Sequence, residues 1–131
     1  MPSIFTKIIN GEIPCHKVAE DANFIAFLDI NPLAKGHTLI VSKNEVDYIF
    51  DIDTEVYKQY WAFAQKVAKA LKTAVPCKKV GIAVIGLEVP HAHIHLIPMN
   101  NVSDMNFAMP KLKIEHSELQ EIASKIAAEI H

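Results

Sequence analysis

Residues 89–98 alternate between imidazole and hydrocarbon. His91, His93 and His95 stand at every second position, with Ala92, Ile94 and Leu96 between them. A period of two is that of a strand, in which neighbouring side chains point to opposite faces. The three histidines then share one face and the aliphatic residues the other. On a helix the same residues would fan over roughly 200°. Pro90 and Pro98 bracket the segment. Similar runs predict strands over 16–20, 24–28, 37–42 and 80–85. The first three are short and separated by turn residues, Asp21-Ala22-Asn23 and then Asp29 to Gly36, which predicts an antiparallel meander. The fourth is wholly apolar and leads through Gly86–Pro90 into the histidine strand. These last two are expected to pair as a hairpin at the centre of the sheet.

Elsewhere the period lengthens to three and four. Val56, Tyr60, Phe63, Ala64, Val67 and Leu71 form one apolar stripe, with Lys58, Gln59, Lys66, Lys69 and Lys72 turned away from it. This predicts a long helix from Asp53 or Thr54 to about Thr73, closed by Pro76. A short helix over 3–9 is capped by Ser3 and ended by Asn10-Gly11. A last helix starts at Ser117, with Gln120 completing a capping box and Leu119, Ile122, Ile126 and Ile130 as a narrow stripe. Residues 101–113 show no period and read as a loop or extended arm. The fold class is therefore α+β: a five-stranded antiparallel sheet, one long packed helix, a short N-terminal helix and a C-terminal helix. It is one domain over 1–131, with its core in about 1–100 and an arm and helix in 101–131.

At 131 residues, 50% hydrophobic and 21% charged, the chain is long enough and apolar enough to bury a real core. A formal charge of −2 argues against a general nucleic-acid-binding surface. No apolar run approaches the roughly 20 residues that a membrane helix needs. The N-terminal stretch lacks the apolar core of a signal peptide. Cys15 and Cys77 are far apart and form no CxxC pair, so free thiols in a cytoplasmic setting are expected. All thirteen Lys and Arg positions are lysine. A phosphate would have to be held by Lys, His or backbone N–H, without the bidentate fork of Arg.

Three readings of the histidine row compete. A structural cluster would need several partners for each buried ring. A metal site meets a geometric objection. Alternate histidines stand ~6.6 Å apart along a strand, so His91 to His95 spans ~13 Å. Two neighbours can chelate a zinc ion with ligands at ~2.1 Å, but three on one straight strand converge poorly. The third reading is catalysis on a phosphate, for which a neutral imidazole is a good nucleophile near neutral pH.

The motif His-Ala-His-Ile-His-Leu-Ile resembles the His-φ-His-φ-His-φ-φ signature (φ an apolar residue) of the histidine triad family of nucleotide-binding hydrolases and transferases. Further blocks resemble the same family in the same order. They are Ile4–Ile9 with Gly11-Glu12-Ile13-Pro14, Ala26–Pro32, and Lys35–Val41. The resemblance implies roles. His93 would be the nucleophile on the α-phosphorus, forming a nucleotidyl-histidine that water cleaves. His95 and His37 would contact phosphate oxygens, and His91 would order the site, with the backbone around it holding the His93 tautomer. Asp29 would accept hydrogen bonds from the ribose. Ile4, Phe5, Ile8, Phe27 and Ile30 would wall the base pocket, with Asn31 and Val89 beside the nucleotide. The implied substrates are a purine nucleoside phosphoramidate or a dinucleoside polyphosphate, with a nucleotide such as AMP as ligand. No cofactor is required, with magnesium as a companion of a polyphosphate. A homodimer joined sheet edge to sheet edge is also implied.

The chain departs from the family pattern in places. Many members carry Gly-Gln-Ser/Thr-Val before the first histidine; here it is Gly86-Leu87-Glu88-Val89, with a carboxylate where the leaving group departs. The phosphate-contacting asparagine has no match in Val80–Ile85. Both departures favour an alternative function, a nucleotide-binding regulatory module with little turnover. Several relatives hold zinc through an N-terminal Cys-x-x-Cys pair. Ser3, Thr6 and Asn44 stand at the ligand positions here, so no zinc is expected. His16, His116 and His131 read as surface residues without companions, and Trp61 as packing.

Overall fold

The computed structural model describes residues 2–131. Helix α1 (Ile4–Ile9) is followed by strands β1 (Lys17–Glu20), β2 (Phe24–Leu28) and β3 (Thr38–Ser42). Helix α2 (Thr54–Ala74), strands β4 (Lys79–Ala83) and β5 (His93–Met99) and helix α3 (His116–Ala128) complete the chain. The five strands form one antiparallel sheet in the order β1-β2-β3-β5-β4. The α+β architecture is thus the one the sequence pattern implies.

Strand alternation sorts the two faces of the sheet. Phe24, Ala26, Leu28, Ile40, Ile94 and Leu96 point to one side and bury against the stripes of α2 and α3. Tyr60 anchors this layer: it is fully buried, stacks on Phe24 at 5.1 Å, and donates its hydroxyl to the Ile40 carbonyl at 2.5 Å. Ile25, Phe27, Leu39 and Val41 point to the other side, where Phe5 of α1 packs on them. Register fixes what shares that second face. His93 pairs with Val41, and His95 with Leu39. The histidines therefore stand in rows with Ile25 and Phe27 of β2, beside α1.

The hairpin of β4 and β5 forms, but not at the centre of the sheet. β5 takes β3 on its other side, which leaves β4 as the outer strand. Its apolar composition belongs to an edge with Ile82 and the following Ile85 roughly half exposed. Helix α3 starts at His116, and the expected Ser117–Gln120 capping box does not form. Glu115 is the capping position, and Gln120 turns instead to His16 and Ser124. His16 and His116 are companions after all, their rings in contact with nitrogens 3.2 Å apart. The aperiodic arm opens with a turn of 3-10 helix, Val102–Met105, held by reciprocal bonds between Asn101 and Asp104.

Gly36 marks the entry to β3. Its φ of +93° lies in the region that L side chains avoid, and a Cβ there would meet Leu71 at 3.0 Å and Val75 at 3.1 Å. The tight turn it allows brings His37 onto the histidine face at the foot of the strand.

Candidate active site

The sheet gives the histidines their face, and hydrogen bonds give each ring its proton. His91 lies just before β5 and is wholly buried. Its Nε2 is 2.7 Å from the Ser42 carbonyl, which can only accept, so Nε2 carries the proton. Nδ1 is then the acceptor, and the Ser3 hydroxyl donates to it at 2.6 Å. The carbonyl of His91 lies 2.8 Å from Nδ1 of His93, which must be the protonated nitrogen of that ring. Nε2 of His93 keeps its lone pair and has no protein partner among the described residues. A ring nitrogen with a free lone pair, locked by its other nitrogen, is a preformed nucleophile.

The remaining pair follows the same logic. The Leu33 backbone N–H donates to Nδ1 of His37 at 3.0 Å, so the proton of His37 is on Nε2. Nε2 lies 3.0 Å from Nδ1 of His95 and donates to it. His95 is left with its proton on Nε2, where it can be given to a phosphate oxygen. His37 was expected to touch phosphate itself. With both nitrogens engaged and only 1% of its surface exposed, it stands behind His95 and aims it.

Burial pushes all three of these rings away from the charged form. His37 is pulled down to about 3 and His95 to about 4, the largest cause in each being desolvation. His93 is lowered too, for the same reason, with the bond to the His91 carbonyl working against the shift. At neutral pH the site presents neutral imidazoles. Asp29 moves the other way: burial raises its carboxyl, against the Asn31 N–H that it accepts at 2.9 Å.

His93 and His95 open onto a cavity of about 410 Å³, the size of a small-ligand site. Ile4, Phe5, Ile8, Phe27 and Ile30 line it, as do Asp29, Asn31, Val89 and His37. Every nucleotide-contact candidate from the sequence therefore reaches this one space. His91 does not; it lies beneath it. Phe5 packs edge-to-face on His93, with ring centroids 4.8 Å apart.

Several residues of the site had no signal in the sequence. Ser3 read as a helix cap and as a replaced zinc ligand, not as a partner of the histidines; it does cap, through the Thr6 N–H at 3.1 Å. Glu45 accepts from the Ser3 N–H at 2.7 Å and the Thr6 hydroxyl at 2.6 Å, tying α1 to the loop after β3. These bonds hold its carboxyl down at about 2, the Thr6 hydroxyl foremost. Phe107 and Lys111 come from the aperiodic arm and line the cavity. Phe107 sits 4.9 Å from the His95 ring, and the Leu112 N–H donates to the Pro32 carbonyl at 2.8 Å. An aromatic and a cation within a stretch without period were the only hints.

Asp29, His37 and His95 bring three donor atoms within 4.8 Å of one another, a spacing a metal ion could use. The proton directions oppose it. A metal on Nε2 of His37 would displace the proton there, while Nδ1 is committed to accepting from Leu33. The ring would have to bind as an imidazolate.

The HIT domain family model matches residues 10–102. "Protein hit" of Bacillus subtilis is 35% identical, covering 95% of this chain and 91% of that protein. The adenosine 5'-monophosphoramidase hnt1 of Schizosaccharomyces pombe is 32% identical over 99% of both chains. Among solved structures, a Hit-like protein from Bartonella henselae, described as involved in cell-cycle regulation and carrying an unknown ligand, superposes with a TM-score of 0.84. It is 34% identical, covering 97% of this chain and 95% of its own.

Proposed function

The chain belongs to the HIT domain family, the histidine triad nucleotide-binding hydrolases and transferases, and from that premise we propose that it cleaves a nucleoside phosphoramidate or a dinucleoside polyphosphate at the α-phosphate. The observation that carries this reading is the unprotonated Nε2 of His93 at a cavity that joins an apolar wall to one carboxylate. The base lies among Phe5, Ile8, Phe27 and Ile30, and Asp29 accepts from the ribose hydroxyls. Nε2 of His93 attacks the α-phosphorus. The N–P bond forms as the bond to the leaving group breaks, and the leaving group departs with that electron pair and gains a proton from solvent. Water then attacks phosphorus, gives up a proton, and displaces His93, releasing the nucleoside monophosphate. His95 gives its Nε2 proton as a hydrogen bond to a non-bridging oxygen, where donors are worth most in a water-poor site. His91 and His37 act through His93 and His95 respectively. The S. pombe relative's name, a monophosphoramidase, supports the phosphoramidate arm.

The step needs no metal, and magnesium enters only with a polyphosphate. The Ser3 N–H and the Thr6 hydroxyl donate to Glu45, and the Ser3 hydroxyl donates to His91, so hydrogen bonds tie α1 to that ring. The partner is a second copy. β4 is an outer strand with an unpaired edge, and Phe50, Ile82, Ile85 and Leu87 lie exposed near it. Trp61 Nε1, buried without an acceptor among the described residues, lines the same hollow as Phe50 and Leu87. A cytoplasmic location fits two free thiols, Cys15 and Cys77. No helix among the described residues is long and apolar enough to cross a membrane.

Glu88 favours a second reading. Its carboxylate lines the cavity beside His93, where it repels an anionic leaving group, as a nucleotide-binding module with little turnover would tolerate. One experiment separates the two. Incubation with an adenosine phosphoramidate and a diadenosine polyphosphate, beside His93→Ala, should release AMP only from the intact protein, with a phosphorus-labelled adduct on His93. Tight AMP binding without turnover would replace the hydrolase with the module.

A further inference from the structure

A second hollow, of about 260 Å³, adjoins the nucleotide cavity and shares His93, His95, Glu88, Phe107 and Lys111 with it. It runs away from the base wall toward Ile85 and Leu87. If the nucleoside occupies the first space, this one receives whatever departs from phosphorus. A phosphate between them meets His93 and His95, two histidines that burial pushes toward the neutral form. The chain contains no arginine. Asp29 and Glu88 add negative charge to the same lining, and Lys111 is the one lysine in it among the described residues.

The arm is built to keep Lys111 there. Phe107 lies edge-on to His95 at 4.9 Å and to His37 at 6.3 Å. Beyond Lys111, Leu112 is bonded to the carbonyl of Pro32, at the end of the segment that carries Asp29. Lys111 is thus pinned on both sides, between the histidines and the sugar-binding turn. Its ammonium donates to the carbonyls of Phe107 at 2.5 Å and Met109 at 3.3 Å. An ammonium has three protons, so one is left to give. Both present partners belong to the arm itself, and a phosphoryl oxygen would be a stronger acceptor than either carbonyl.

We propose that Lys111 is the cation of the active site: its ammonium leaves the arm's own carbonyls, or adds to them, and contacts the phosphate on the leaving-group side of His93. The arm from 101 to 113 is then a catalytic element, and the favoured substrates carry negative charge beyond the α-phosphate. Lys111 offsets Glu88 and stabilises the charge that the leaving group takes with it. This rests on the nucleotide reading of the cavity.

The test compares wild type, Lys111→Gln and Lys111→Arg. AMP should bind about tenfold more weakly to K111Q, equivalent to about 1.4 kcal/mol, while adenosine, which lacks the phosphate, binds all three alike. Turnover of diadenosine polyphosphate should fall more than turnover of an adenosine phosphoramidate with an uncharged amine, and K111R should recover much of the loss. On the wild-type protein, AMP but not adenosine should shield Lys111 from an amine-reactive label read by mass spectrometry, so the idea stands testable even if K111Q folds poorly. Unchanged AMP affinity in K111Q, or labelling indifferent to AMP, overturns the role of Lys111. Unchanged turnover in His93→Ala overturns the hydrolase reading instead, and the AMP-binding comparison still decides Lys111.

Discussion

Replacing Ser3 by alanine removes one oxygen that does two jobs. It accepts from the Thr6 N–H at the start of α1, and it donates to Nδ1 of the fully buried His91. Losing a serine cap costs about 1 kcal/mol. Leaving a buried acceptor without a donor costs about 1–3 kcal/mol more. The expected loss is about 2–4 kcal/mol. Unfolding entropy near 2.1 cal/mol/K per residue, over 131 residues, converts this to a fall in Tm of roughly 7–15 °C. Function should suffer separately. His91 holds Nδ1 of His93 through its carbonyl, so a ring free to tilt or change tautomer loosens the nucleophile. Turnover should drop by about tenfold with the affinity for AMP little changed, since Ser3 does not line the cavity. Ser3→Thr keeps the hydroxyl and serves as the control. Calorimetry and steady-state kinetics on both variants check this. A Tm within about 2 °C of wild type together with unaltered turnover in Ser3→Ala would refute the proton assignment on which the site is built.

Two further outcomes follow from buried groups. His37 and His95 stay neutral when folded to about 3 and about 4, whereas in the unfolded chain they take up protons near 6.5. The unfolded state therefore binds more protons below that value, and stability must fall as pH drops from about 6.5 toward 4. By pH 5 each ring costs about 2 kcal/mol, so urea midpoints at pH 7.5 and 5 should differ clearly, and equal midpoints would contradict the burial argument. Asp29, whose carboxyl burial raises, acts in the opposite sense once the pH falls into the carboxylate range, which is why the comparison stops at about pH 5. Tyr60→Phe removes the hydroxyl that ties α2 to the Ile40 carbonyl; it should lower stability by about 1–2 kcal/mol with AMP affinity unchanged, as measured by melting and titration calorimetry.

The sequence by itself determined which residues share a face. A period of two in 91–96 and a stripe of three and four in 54–74 are properties of neighbours, so they are legible wherever the chain goes. They placed the histidines opposite the core layer and identified the elements to within a few residues. What lay outside that reach involves partners far apart in the chain. The donor to His91 is Ser3, 88 positions away, and no local pattern announces it. The place of β4 at the sheet edge depends on β5 pairing with β3, not on the composition of β4, which suits a buried strand as well. The arm had no period to read, because Phe107 and Lys111 face a single surface of the folded protein rather than a repeating one. The tertiary structure alone decided where each proton sits and which cation stands near the histidines. A hydrogen bond has direction only once both partners are fixed in space, and a charge acts through distances that folding sets.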